Sequence, residues 1–178
     1  MSRELTGLGY VVLALIGRDG AGAHELVDMA TRGQRLHWSG AASKVYEKPK
    51  QLEALGLVRS EVRPGRTRER AYYTLTDEGL AALKEWLARP SSFPRIQSEA
   101  VARVLASDLA DDPRVVVESL QALRQEIGEL SATLEQRAAA TDSVPHRALQ
   151  LRLVRSLDRR LLRAHAEWID EVQSQLTP

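Results

Sequence analysis

The chain of 178 residues contains no cysteine. Disulfides, thiol nucleophiles and cysteine-based zinc sites are therefore excluded, and the absence fits a cytosolic setting. It also lacks an excess of charge of either sign: 25 basic and 24 acidic residues leave +1, so the whole-chain charge argues for no partner. No apolar run approaches the roughly 20 residues of a membrane span. The N-terminus lacks the charged, apolar and small segments of a signal peptide. The expectation is a cytoplasmic protein with no membrane association. Asparagine is absent too, while arginine and alanine abound, a composition that suggests a GC-rich bacterial genome.

Catalytic signatures are missing as well. No two of the four histidines, His24, His37, His146 and His165, stand at i and i+4 with a third ligand nearby, so no zinc site is expected. No Gly-x-Ser-x-Gly nucleophile elbow occurs. The carboxylates are interleaved with arginines on helical patterns and read as solvated faces and ion pairs. The glycine-rich loop Gly17-Arg18-Asp19-Gly20-Ala21-Gly22 lacks the Gly-Lys-Ser/Thr ending of a P-loop and the dinucleotide Gly-x-Gly-x-x-Gly spacing. The expectation is a protein that is not an enzyme, with no catalytic residues, no metal and no cofactor.

What the chain does have is an uneven distribution of charge. Residues 1–95 hold 15 basic and 11 acidic side chains, and residues 96–178 hold 10 and 13; within residues 32–70 the count is 10 against 4. A local basic stripe on a near-neutral chain points to one face meeting a polyanion. Leu8, Val11, Val12, Leu15 and Ile16 form a helical stripe over 5–16, with Thr6 as its cap. Ala23 to Thr31 is a second short helix. Trp38, in the linker after it, is expected to pack under the helix that follows.

Residues 39–76 organise the rest. Ser39 can cap a helix, Val45, Leu52 and Leu55 supply its apolar face, and Gly56 stops it. Pro49 lies inside this helix, so a kink near Lys48 or a restart at Pro49 is expected. Two short β runs follow around Pro64-Gly65. Arg59, Arg63, Arg66, Arg68 and Arg70 recur mostly at every second position, sharing a strand face or the loop tip. One of Tyr72 and Tyr73 covers the core and the other the hairpin face. Thr76 caps a helix through Leu80, Leu83, Trp86 and Leu87 that ends at Pro90.

A helix followed at once by a basic hairpin is the core of a winged helix-turn-helix. Val45-Tyr46, then Gln51-Leu52-Glu53-Ala54-Leu55-Gly56-Leu57-Val58, then Arg70-Ala71-Tyr72-Tyr73-Thr74-Leu75-Thr76-Asp77-Glu78-Gly79 resemble the PadR family of bacterial transcriptional regulators. The resemblance is specific from Leu36 to Leu83 and, through the family's longer subgroup with a C-terminal helical domain, extends over nearly the whole chain. Two departures stand out. The family's Gly-Pro and Gly-Tyr are here Gly20-Ala21 and Ala23-His24, and Pro49 occupies a position that is apolar in many members.

The second half is helical. Val101, Val104, Leu105 and Leu109 form one stripe. Val116, Leu120, Leu123, Ile127, Leu130 and Leu134 recur in steps of 4, 3, 4, 3 and 4 over a helix from Val115 to Ala138. A last helix of about 30 residues carries Val154, Leu157, Leu161, His165, Trp168, Val172 and Leu176 on one narrow stripe. A lone helix does not bury such a stripe, which calls for a second chain.

The expected fold is mainly α with a small β-hairpin. A winged helix-turn-helix DNA-binding domain over 1–90 precedes a helical dimerisation domain over 91–178. What the resemblance implies is a homodimeric, sequence-specific regulator, a repressor released by an effector, with double-stranded DNA and a second copy of itself as partners. The DNA-binding candidates are Ser39, Ser43, Lys44, Tyr46 and Lys48 on the recognition helix and Arg66, Arg68 and Arg70 on the wing. The dimerisation candidates are Val154, Leu157, Leu161, Trp168 and Val172. Trp168 is also the candidate for a planar aromatic effector. The alternative is a helical protein-interaction module whose winged helix no longer reads DNA. Five arginines around one turn argue against it.

Overall fold

The structure is a computed structural model; it describes residues 5–33, 36–37, 42–64, 69–139 and 145–177, with the backbone alone at 31–33, 42–43, 137–139 and 145. The chain folds into two compact units, Met1–Phe93 and Pro94–Pro178. Each has its own apolar core.

The first unit opens with α1 (Gly7–Ile16). Thr6 stands at its N-cap in extended conformation, but its side chain makes no capping hydrogen bond. Instead the Thr6 carbonyl accepts the amides of Gly9 and Tyr10. The inward stripe is Tyr10, Val12, Leu13 and Ile16, one position round from the expected one; Leu8 and Leu15 pack at its margin. Tyr10 belongs to this face, and its ring stacks on Trp86 of a later helix with centroids 5.1 Å apart. After α1 the chain turns through Gly17 and Gly20, both at positive φ. Gly20 is crowded: a Cβ there would lie 2.6 Å from the Tyr72 ring and 2.7 Å from the Tyr73 carbonyl.

A two-residue strand, β1 (Ala21–Gly22), enters α2 (Ala23–Gly33), and α3 (Ala42–Ala54) follows. The Gly22 amide donates to the Glu25 carboxylate at 2.9 Å, a side-chain cap for the start of α2. The proposed cap Ser39 lies outside the described residues. The helix α3 runs unbroken through Pro49, so the chain does not restart there. Pro49 points into the core and is fully buried, so burial of its ring offsets the hydrogen bond it removes. Val45 and Leu52 are buried as expected, whereas Leu55 is 48% exposed.

Gly56 leaves α3 at φ 72°, and β2 (Val58–Arg63) pairs antiparallel with β3 (Arg70–Leu75) from Val58↔Leu75 to Arg63↔Arg70. β1 adds to the other side of β3, giving the order β1-β3-β2; two residues are too short a run for the sequence to announce. Thr76 then caps α4 (Asp77–Leu87), its hydroxyl accepting from the Gly79 amide at 3.0 Å and donating to the Gly56 carbonyl at 2.7 Å. The first turn of α4 lies against the chain leaving α3. A Cβ on Gly79 would sit 1.9 Å from the Leu57 carbonyl oxygen.

The second unit contains α5 (Glu99–Leu105), a 3₁₀ turn at Ser107–Leu109, α6 (Arg114–Ser119), α7 (Gln121–Ala139) and α8 (Ala148–Leu176). The single helix expected from Val115 to Ala138 is two. The Ser119 hydroxyl donates back to the Val116 carbonyl at 2.7 Å, and the chain turns at Leu120 before α7 starts. Leu120 stays almost fully buried at the joint. The helices α7 and α8 pack through Ile127, Leu162, Ile169 and Val172, with Leu123, Leu130 and Leu134 at the margin. Two ion pairs tie them: Arg124 with Asp170, and Arg159 with Glu135 through two hydrogen bonds of 2.7 and 3.0 Å. Arg159, through its hydrogen bonds and its charge, holds the Glu135 carboxyl below the usual carboxylate range. Among the described residues no helix is long and apolar enough to cross a membrane.

Candidate nucleic-acid interface

The helix α3 divides cleanly by face. Val45, Pro49 and Leu52 fall on its buried side, so the residues between them point outward. Lys44 and Tyr46 are exposed on either flank of Val45, Tyr46 at 53%. Both stand where the sequence placed them. Lys48 does not share that freedom. It is half-buried and its ammonium donates to the Gln51 side chain at 2.7 Å. It lines a groove against Leu5, Thr6 and Gly9 of the first helix region, because it follows Val45 by three residues and so sits beside the core face. Lys50, which the sequence reading passed over, is fully outward, two turns on from Ser43. The seven-residue spacing from Ser43 was the available signal. Ser43 itself lies in the first turn of α3, with its side chain outside the described residues.

The wing presents two chemically different faces. Antiparallel pairing puts directly opposed residues on the same side. Val58, Tyr73 and Leu75 thus share the inner face and Arg59, Glu61, Arg63, Arg70, Tyr72 and Thr74 the outer one. The tyrosine ambiguity resolves: Tyr73 is buried in the core, and Tyr72 belongs to the outer face. Burial, then the nearby Glu53 carboxylate, pushes the Tyr73 hydroxyl above the usual phenol range. On the outer face the Arg63 guanidinium lies 3.4 Å from the Tyr72 ring centroid and pairs with Glu61. Tyr72 in turn donates to the Asp19 carbonyl at 2.6 Å, and Arg59 donates to the Thr74 hydroxyl at 3.1 Å. Arg70 is exposed directly across from Arg63. Arg66 and Arg68 lie outside the described residues.

One contact joins the two parts. The Glu53 carboxylate, near the end of α3, accepts from both the amide of Ser60, at 2.9 Å, and its hydroxyl, at 2.6 Å. This holds β2, the first strand of the wing, to α3, and nothing in the sequence pattern marked it. Together they offer exposed arginines on the outer face of the wing and an outward helix face. Among the described residues no cluster of histidine and carboxylate is placed to hold a metal ion.

The candidate dimerisation residues do not form one exposed seam. Val172 is 6% exposed, buried within its own unit. Trp168 packs at the margin of the same cluster, and Leu161 is half-buried. Only Val154, at 37%, and Leu157, at 50%, remain open. The reason is angular. The core face of α8 is set by Leu162 and Ile169, which the narrow stripe omitted, and the stripe runs along the shoulder of that face. A groove of about 580 Å³ in this unit is lined by Arg114, Val117, Glu118, Asp170, Gln173, Ser174 and Thr177.

Comparison with known proteins gives a consistent result. Residues 12–85 match the model of the "Transcriptional regulator PadR-like family". The negative transcriptional regulator PadR of Bacillus subtilis is 23% identical over 185 residues, covering 95% of this chain and 97% of that protein. The crystal structure of Bacillus subtilis PadR with operator DNA superposes with a TM-score of 0.79 at 19% identity, covering 98% of this chain and 99% of that one. The same protein with p-coumaric acid gives 0.61 at 19% identity, over 96% and 99%. The Vibrio cholerae virulence activator AphA gives 0.72 at 22% identity, over 96% and 98%. The residues that carry the match, from Val12 through the wing to Glu85, are those that build the winged head. With the family's model matched over residues 12–85, and the fold alike over nearly the whole length, the chain carries a domain of the PadR-like family of transcriptional regulators.

Proposed function

We propose that this regulator is a homodimeric, sequence-specific DNA-binding repressor, released from its operator by a planar aromatic effector. Each head places the outward face of α3 in a major groove and lays its wing along the neighbouring backbone. Two half-sites roughly 34 Å apart then match the two-fold of the protein. The observation that carries this reading is the opposition of Arg63 and Arg70 in the last strand pair of the wing, at the end away from its root. Like charges directly opposed on a strand pair are destabilising, and Glu61 meets only one of the two. A backbone phosphate between them removes the repulsion and uses the fork geometry of the guanidinium. Repression and effector release are supported by what is known of relatives: Bacillus subtilis PadR is described as a negative regulator and has been crystallised with operator DNA and with p-coumaric acid. AphA, by contrast, is described as an activator. The measurement that decides DNA recognition is the affinity for duplex DNA as a function of salt. A steep fall with rising salt is expected. Binding that is absent, or flat with salt, overturns the reading in favour of a protein-docking role.

A further inference from the structure

An acid occupies the centre of the outward face of α3. Val45, Pro49 and Leu52 fix the buried side. At about 100° per residue, Glu47 lies about 190° round from their mean direction, and it is exposed. Lys44 and Lys50 stand three residues to either side of it, and Lys48 stands next to it. Among the described residues the Glu47 carboxylate nevertheless enters no ion pair or side-chain hydrogen bond. The Lys48 ammonium goes to Gln51 instead, at 2.7 Å.

Such a charge is out of place on a surface that meets phosphates. A carboxylate facing the DNA backbone repels it and weakens binding to every sequence. Attraction needs a hydrogen-bond donor. In the major groove thymine O4 and guanine O6 and N7 are acceptors, whereas cytosine N4 and adenine N6 donate. An ionised carboxylate only accepts, so the adenine N7 beside N6 turns its second oxygen away. Cytosine carries no such neighbour, and its amino group is the partner that fits. Position along the helix agrees. Glu47 lies in the first half of α3, and a recognition helix meets base edges with its N-terminal part. Lys44 and Lys50, each about 4.5 Å away along the axis, offset the repulsion between this carboxylate and the flanking phosphates.

We infer that Glu47 is a specificity-determining residue, its carboxylate accepting from the N4 amino group of one cytosine in each half-site. This rests on the DNA recognition proposed above and adds a base identity to it. It also gives the acid on this face a role that affinity alone does not supply.

The test is a binding-site selection from random duplexes with the full chain and with its Glu47→Gln and Glu47→Ala variants. The side chain is exposed, so all three should fold alike by circular dichroism. Wild type should enrich one C·G pair at a fixed position of each half-site. Glutamine bonds adenine through N6 and N7, so Glu47→Gln should move that position to A·T and leave the others as they were. Glu47→Ala should lose preference there alone, and it should bind unrelated duplexes more tightly because a negative charge has gone. In titrations, exchanging the C·G pair for T·A should weaken wild type about 10-fold and Glu47→Ala by less than about twofold. An identical selected site for all three chains overturns the assignment. So does a Glu47→Ala chain whose only change is tighter binding to every duplex by one common factor. A wild-type chain that enriches no sequence fails one step earlier and removes the DNA recognition on which the inference rests.

Discussion

Gly79 is where a single atom decides the most. An alanine Cβ would enter the Leu57 carbonyl, 1.9 Å away, and backbone on both sides leaves nothing to yield. Gly79→Ala should destabilise the winged head by about 3 kcal/mol or more, beyond the usual cost of overpacking, read as a lowered thermal midpoint with the C-terminal unit still helical. Tyr73 gives a test by pH. Its folded pKa lies above the unfolded value near 10. The native state therefore favours the neutral phenol, and its contribution to stability is complete below about pH 10 and is lost as pH rises through the folded value. Melting curves from about pH 9 to 11 should show a decline that Tyr73→Phe reduces. At the DNA face, Arg70→Ala should weaken binding to all duplexes alike and flatten the salt slope by about one unit. Lys44→Ala should instead relax sequence preference. Competition shift assays at several salt concentrations separate the two outcomes.

Among elements, legibility followed burial and capping. The wing strands, the Gly56 stop and the Thr76 cap could be read because each rests on a local rule of backbone or side-chain chemistry. Pro49 misled because its helical penalty is local, while the core that accepts its ring is assembled from distant segments. Leu120 misled for the converse reason: a heptad pattern survived across a turn, since the buried face on both sides of the joint is the same. The shoulder stripe of α8 was visible as a period, but not its angle to α7, which Leu162 and Ile169 set. The fixed orientation of the wing came from Glu53 and Ser60, seven residues apart in sequence and unremarkable there. That contact predicts a difference between two variants. Glu53→Gln keeps an acceptor for Ser60 and loses the charge, whereas Glu53→Ala loses both. If the tether orients the wing, the glutamine variant should hold sequence preference and the alanine variant should blur it in a binding-site selection.

At the scale of the whole molecule, the proposed homodimer makes affinity for an operator depend on two heads being joined. Leu157 is half exposed on α8, so Leu157→Asp sets a charge in the proposed partner surface without entering the core. The expected result is a monomer, or a dimer weakened by several kcal/mol, with unchanged helicity by circular dichroism and a loss of affinity for a two-half-site operator greater than for a single half-site. An unchanged dimer mass would move the partner surface elsewhere. The clasp at the base of the wing has a further consequence. Gly56, Leu57, Thr76 and Gly79 lock the strand ends to α4 through backbone contacts and one hydroxyl, so the wing is anchored at its root and nothing in that anchor reads the loop 64–69. The loop is therefore an interchangeable cassette: its length and cations can drift, or be exchanged between relatives, and retune grip on DNA while the scaffold that carries it keeps its stability.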